Sequence, residues 1–232
     1  MESKRQVVVT NRALSLMLFG AIGILLFMHI LGTAWSIHND FEVDRFTWFF
    51  DFGLENNLPA LFSFSLLFLS GLVLTLIAHA TRSAGERFAG HWLVLGLVFV
   101  FLALDESLQI HEAVGDALQG KFDTKGILYF AWVAPYAVAV AALGLIYIPF
   151  FRDLDSRTRN GFFMAAAVYL TGAVGMELIE GAIAESCGEP CWPFVFLVTI
   201  EETMEMLGVA LFIRAQIAYL GDPQRKLSFV FQ

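Results

Sequence analysis

The sequence predicts an all-α, polytopic membrane helix bundle of about six transmembrane helices, with both termini cytoplasmic. Three observations lead there. The chain is 58% hydrophobic and only 16% charged, against roughly 25% charged in soluble domains, and its mean hydropathy is +0.69. Six stretches reach the length of about 20 mostly apolar residues that a bilayer-spanning helix needs: 13–37, 57–80, 91–113, 126–150, 160–184 and 192–220. The basic residues alternate from loop to loop, as the preference of Lys and Arg for cytoplasmic loops requires.

Stretch 13–37 is longer than the roughly 7–15 apolar residues of a signal peptide and lacks a small-residue cleavage site, so it reads as a retained helix. Little chain lies outside the six stretches, and 1–232 reads as a single integral membrane domain. With the N-terminus inside, the cytoplasmic basic set is Lys4, Arg5, Arg12, Arg82, Arg87, Arg152, Arg157, Arg159, Arg214, Arg225 and Lys226, 11 residues. The outer set is Arg45, Lys121 and Lys125, 3 residues. An odd number of helices would break this alternation. The outer loop 39–57 is acidic and aromatic (Phe41, Phe46, Trp48, Phe49, Phe50, Phe52), which suits a short helix at the membrane interface. Pro135 predicts a kink in the fourth helix, and Gly172, Gly175 and Gly181 permit close packing in the fifth. Cys187 and Cys191 are the only cysteines. Their turn falls outside, where a structural disulfide persists; two free thiols or a redox pair are the other readings. A net charge of −8 without a basic stripe excludes a nucleic-acid partner.

The chemistry resides in acids that the hydrophobic stretches carry with them. The third stretch contains Asp105, Glu106, His111 and Glu112, the fifth Glu177 and Glu180, and the sixth Glu201, Glu202 and Glu205. Trp92 to Leu104 covers about 20 Å at 1.5 Å per residue, less than the roughly 30 Å hydrocarbon core, so Asp105 and Glu106 must enter the bilayer. Glu201 falls about 13 Å below the outer edge, and Glu177 and His29 about 6 Å below it. Glu112 and Glu180 are shallow enough to be interfacial. On a continuous third helix Asp105, Gln109 and Glu112 form a stripe, with His111 turned away by about 100°.

An acid at the centre of a spanning helix costs about 2.5–3.5 kcal/mol, and no Lys or Arg sits in these outer helix halves. Protons, water or bound cations must offset the cost. Paired acids at i, i+3 on facing helices are how bundles hold dinuclear carboxylate sites, although Glu177-x-x-Glu180 and Glu202-x-x-Glu205 replace the usual Glu-x-x-His. The expected cofactor is therefore a divalent metal, iron, manganese or zinc and dinuclear in one form, with His29 or His111 as nitrogen donor; all-oxygen sites also suit calcium or magnesium. A proton or cation relay and a purely structural polar core remain open. Leu-Asp-Glu-Ser-Leu-Gln at 104–109 parallels Ile-Glu-Glu-Thr-Met-Glu at 200–205, the pattern expected of an inverted repeat.

These motifs, with Leu54-Glu55…Pro59, Leu104-Asp105-Glu106…His111-Glu112 and Glu201-Glu202…Glu205-Met206…Gly208, resemble those of a group of bacterial polytopic integral membrane proteins. The resemblance covers most of the chain. It implies the polytopic class and a place in the bacterial cytoplasmic (inner) membrane, and supplies no activity. The leading expectation is a metal-dependent membrane oxidoreductase or hydrolase acting on a membrane lipid or another hydrophobic small molecule in the outer half of the bilayer. An ion-coupled transporter and an accessory subunit compete with it, and the oligomeric state is left open.

Overall fold

The computed structural model describes residues 11–40 and 42–221; Lys4, Arg5, Phe41, Arg225 and Lys226 lie outside them. The described residues form helices and no strand. In order they are α1 (Asn11–His38), α2 (Arg45–Phe50), α3 (Leu58–Ser83), α4 (Ala89–Leu108), α5 (Ile110–Phe122), a 3₁₀ turn (Gly126–Leu128), α6 (Val133–Ile146), α7 (Ile148–Asp153), α8 (Ser156–Leu170), a π-helical turn (Thr171–Met176), α9 (Glu177–Cys187) and α10 (Trp192–Leu220).

Four segments are long and apolar enough to cross a membrane: α1, α3, α4 and the continuous helix Ser156–Cys187. Their outer faces carry large apolar groups that a water-soluble protein would hide. Leu16 is 68% exposed, Met17 71% and Ile24 65%. Helix starts are set by local chemistry. Asn57 caps α3 by accepting the Ala60 N–H at 3.1 Å, with Pro59 in the first turn. Asp155 caps α8 through the Thr158 N–H at 2.9 Å. Asp44 does the same for α2, accepting the Thr47 N–H at 2.7 Å, and that bond holds its carboxyl below the usual range.

Two expected helices differ. The third stretch does not run on to residue 113: Gln109 takes a left-handed conformation (φ 53°) that ends α4 and redirects the chain into α5. A left-handed turn at a non-glycine costs about 1–2 kcal/mol, and the Asp105 carboxylate compensates by accepting the His111 N–H at 2.8 Å. The fourth stretch begins as helix only at Val133 and bends at Tyr147 into α7. Pro135 stands in the first turn of α6, where its missing N–H has no helical acceptor to lose, so the expected kink at that position does not arise.

α10 is the hub. It packs on α1, α3, α8, the π turn and α9, while α3 and α4 form the most extensive pair. One core cluster centres on Trp92, which meets Phe150 and Phe162 edge-on at 4.8 and 5.8 Å; a second joins Leu66, Leu67, Ala103, Met206 and Ile213. The α8–α10 crossing depends on Gly208: a Cβ there would lie 2.7 Å from both the Cβ and the backbone nitrogen of Tyr169. Gly208→Ala is therefore expected to force α8 and α10 apart and destabilise the fold by about 1–3 kcal/mol. A lowered thermal midpoint of the purified variant is the measurement that checks it.

Candidate metal centre

The carboxylates converge because α4, α5, α9, α10 and the loop before α3 bring them to one cavity. α9 presents Glu177 and Glu180 one turn apart, and α10 presents Glu201 opposite them. One oxygen from each of these three lies within 4.8 Å of the others. Glu180 is 2% exposed, and its Oε1 is enclosed without a hydrogen-bond partner. The three acids share a cavity of about 790 Å³ with further acids, among them Asp105, Glu106, Glu112, Glu202, Glu205 and Glu55, and no Lys or Arg among the described residues lines it.

The π turn sets this geometry. A π turn accommodates an extra residue and commonly marks functional sites. By taking up one residue without the roughly 100° turn that it would add in an α-helix, Thr171–Met176 decides which way Glu177 and Glu180 point. Gly172 within it lets α10 approach: a Cβ there would stand 3.0 Å from the Glu201 carbonyl oxygen and 3.3 Å from Glu205 Cγ. Gly181 serves the 3₁₀ turn in the same way, 3.0 Å from Tyr129 Cβ. Gly175 meets only atoms of its own helical segment. Glu185 accepts a hydrogen bond from the Gly126 N–H, fixing that turn on α9.

Beside the triad stands a second polar array. The break at Gln109 swings His111 back towards Asp105, with Nδ1 3.3 Å from Oδ2. The expectation of a continuous Asp105–Gln109–Glu112 stripe with His111 turned away is thus corrected by the left-handed turn. Tyr136 donates to Asp105 Oδ1 at 3.0 Å. Trp132 donates its indole N–H to Glu177 Oε1 at 3.0 Å, and its ring lies 5.0 Å from the His111 ring. Trp132 thereby links the triad to the Asp105–His111 pair. Neither Trp132 nor Tyr136 was expected from the sequence, although two aromatic residues with polar tips, spaced i, i+4 at the head of an apolar helix, were a usable signal.

His29 is placed elsewhere. It does not line the cavity. Its Nδ1 accepts the Phe52 N–H at 3.1 Å, and its Nε2 is 2.9 Å from the Thr199 hydroxyl. Phe52 stacks on its ring at 4.3 Å. With Nδ1 accepting, Nε2 carries the proton and donates to Thr199. Thr199 and Glu201 are two residues apart on α10, hence about 200° apart around it. His29 therefore has the depth of the acids and the opposite face of the helix.

Cys187 and Cys191 are joined as a disulfide, closing the turn between α9 and α10. The segments 104–109 and 200–205 occupy unlike positions: the first ends α4 at its break, the second lies inside α10.

Residues 15–220 match a family model described as Domain of unknown function (DUF8692). No curated protein and no solved structure matches the chain.

Proposed function

The chain belongs to that family, and from its carboxylate geometry we propose that it is a membrane enzyme using a divalent metal held within the bilayer. The proposed substrate is a lipid or another hydrophobic molecule. The observation that carries the reading is the Glu177–Glu180–Glu201 triad, with one oxygen of each acid within 4.8 Å of the others and no Lys or Arg among the described residues lining the cavity. Three buried acids cost on the order of 8–10 kcal/mol together, and a divalent cation offsets both that cost and their mutual repulsion. The bare oxygen of Glu180 is an open ligand position. An all-oxygen triad suits manganese as well as magnesium and calcium, and entry of a His111 nitrogen would admit iron or zinc. Glu106, Glu202 and Glu205, on the same cavity, supply a second position for a dinuclear centre.

The proposed topology has six spans. α10 is about 43 Å long and crosses despite its acids because they face the cavity, and α6 with α7 covers about 31 Å. Both termini are cytoplasmic, in the bacterial inner membrane, and the acids lie in the outer half. Reporter fusions should find Gln232 inside and the Cys187–Cys191 turn outside; an external Gln232 would overturn the outer placement.

Elemental analysis of the protein, purified without chelator, tests the function. At least one equivalent of manganese, iron or zinc is expected, and it should be lost on chelation and regained on adding back the same ion. Metal-free protein with acid-sensitive ion flux in liposomes would replace the enzyme with a transporter.

A further inference from the structure

We propose that the apolar arm of the cavity receives the hydrocarbon chain of an amphiphile, entering sideways between α6 and α8, with its oxygen-bearing polar end at the triad. The placement of the polar end rests on the metal reading; the placement of the chain does not.

All four walls change character in the same direction. Along α10 the lining passes from Glu201 to Phe212, and along α4 from Glu106 back to Leu95. Each run advances eleven residue steps, about 16 Å. Along α6 and α7 it passes from Trp132 and Tyr136 to Phe151, and along α9 and α8 from Glu180 back to Phe162. The far end lacks the two to four polar partners that hold water in a buried site. One end thus suits a polar group and the other only hydrocarbon.

The side of the cavity is open. α6 is tied to α4 at its two ends, where Tyr136 donates to Asp105 and Tyr147 to the His91 carbonyl, and it is not closely packed on α8. Ala166 on α8 and Gly144 on α6 line the cavity and are both exposed, and a Cβ on Gly144 would meet nothing within 4 Å. The surface around this mouth is apolar: Leu145 is 68% exposed, Met164 62% and Phe163 48%. A chain already dissolved in the bilayer therefore reaches the arm without crossing water. Small residues at the mouth leave its width to be set by α6.

The test uses the full-length protein in nanodiscs and palmitic acid carrying a diazirine at its terminal carbon. After photolysis, peptide mapping should place label on Phe151, Phe163 or Phe212, in excess over lipid-facing Leu16 and Ile24 of α1, and unlabelled palmitate should compete it away. Gly144→Phe fills open space on α6 and should remove the deep label while leaving the α1 label unchanged; Ala166→Phe should repeat the result from the opposite wall. Deep label no greater than that on α1, or insensitive to competitor or to both variants, overturns the proposal. Metal content measured on the same samples separates the two readings. Deep label without metal leaves the chain site standing and removes the metal reading, whereas stoichiometric metal without deep label removes the chain site alone.

Discussion

Glu201→Gln is expected to strip the site of metal while leaving the helices folded. The amide keeps the volume of the side chain, so packing between the π turn and α10 is retained. It removes the acid that α10 contributes to the triad, within 4.8 Å of both Glu177 and Glu180. Loss of an outer-shell partner typically lowers metal affinity about 10–100-fold, and loss of a direct ligand should exceed that. Elemental analysis after buffer exchange should find the variant empty under conditions in which the wild type retains its ion. The metal-free forms should show the opposite order in thermal stability. A buried carboxylate costs about 2.5–3.5 kcal/mol within a bilayer, which the amide relieves, so the empty variant should melt above the empty wild type. Equal metal content in both proteins would sink the triad as the ligand set.

His29→Ala should produce the largest loss of stability and no change in metal content per folded molecule. His29 is 2% exposed and ties α1 to α10 and to the backbone after α2. Its removal leaves a cavity under Phe52 and strips the Phe52 N–H of its acceptor, while the Thr199 hydroxyl keeps its bond to the Val195 carbonyl. Large-to-small changes at such sites cost about 2–5 kcal/mol, and each buried group left unpaired adds about 1–3 kcal/mol. A fall of roughly 10 °C or more in the thermal midpoint follows for a chain of this size. A variant that keeps its midpoint and loses metal would return His29 to the ligand set.

His29 shows where sequence reasoning stops. Residue counting along an apolar run fixes height in a bilayer well, since the rise per residue is constant, and His29 does share the level of the acids. It does not fix which neighbour a side chain faces, and the ring turns to Thr199 on the far side of α10 from Glu201. The acids of α9 and α10 were legible because both periodicity and depth placed them on facing helices. The long helices and the cysteine pair were legible for equally local reasons. The end of α4 was not. No Gly or Pro marks Gln109, and the stop comes from the side chain of Asp105 reaching forward to the His111 N–H, a contact visible only in three dimensions. That one unread turn also misdirected His111. The π turn was likewise hidden, because Thr-Gly-Ala-Val-Gly reads as an ordinary stretch of small residues in an apolar helix.

The π turn makes the winding between Leu170 and Glu177, rather than the residue count, a determinant of chemistry. Wound as a regular α-helix at unchanged length, the same interval would carry Glu177 and Glu180 about 100° further round and away from Glu201. Deleting Ala173 would remove the extra residue and the wide turn together, so both acids would keep facing Glu201. Related chains one residue shorter in this interval should therefore retain both acids on a regular helix. A single gap would be silent there, whereas closing the turn at constant length would not.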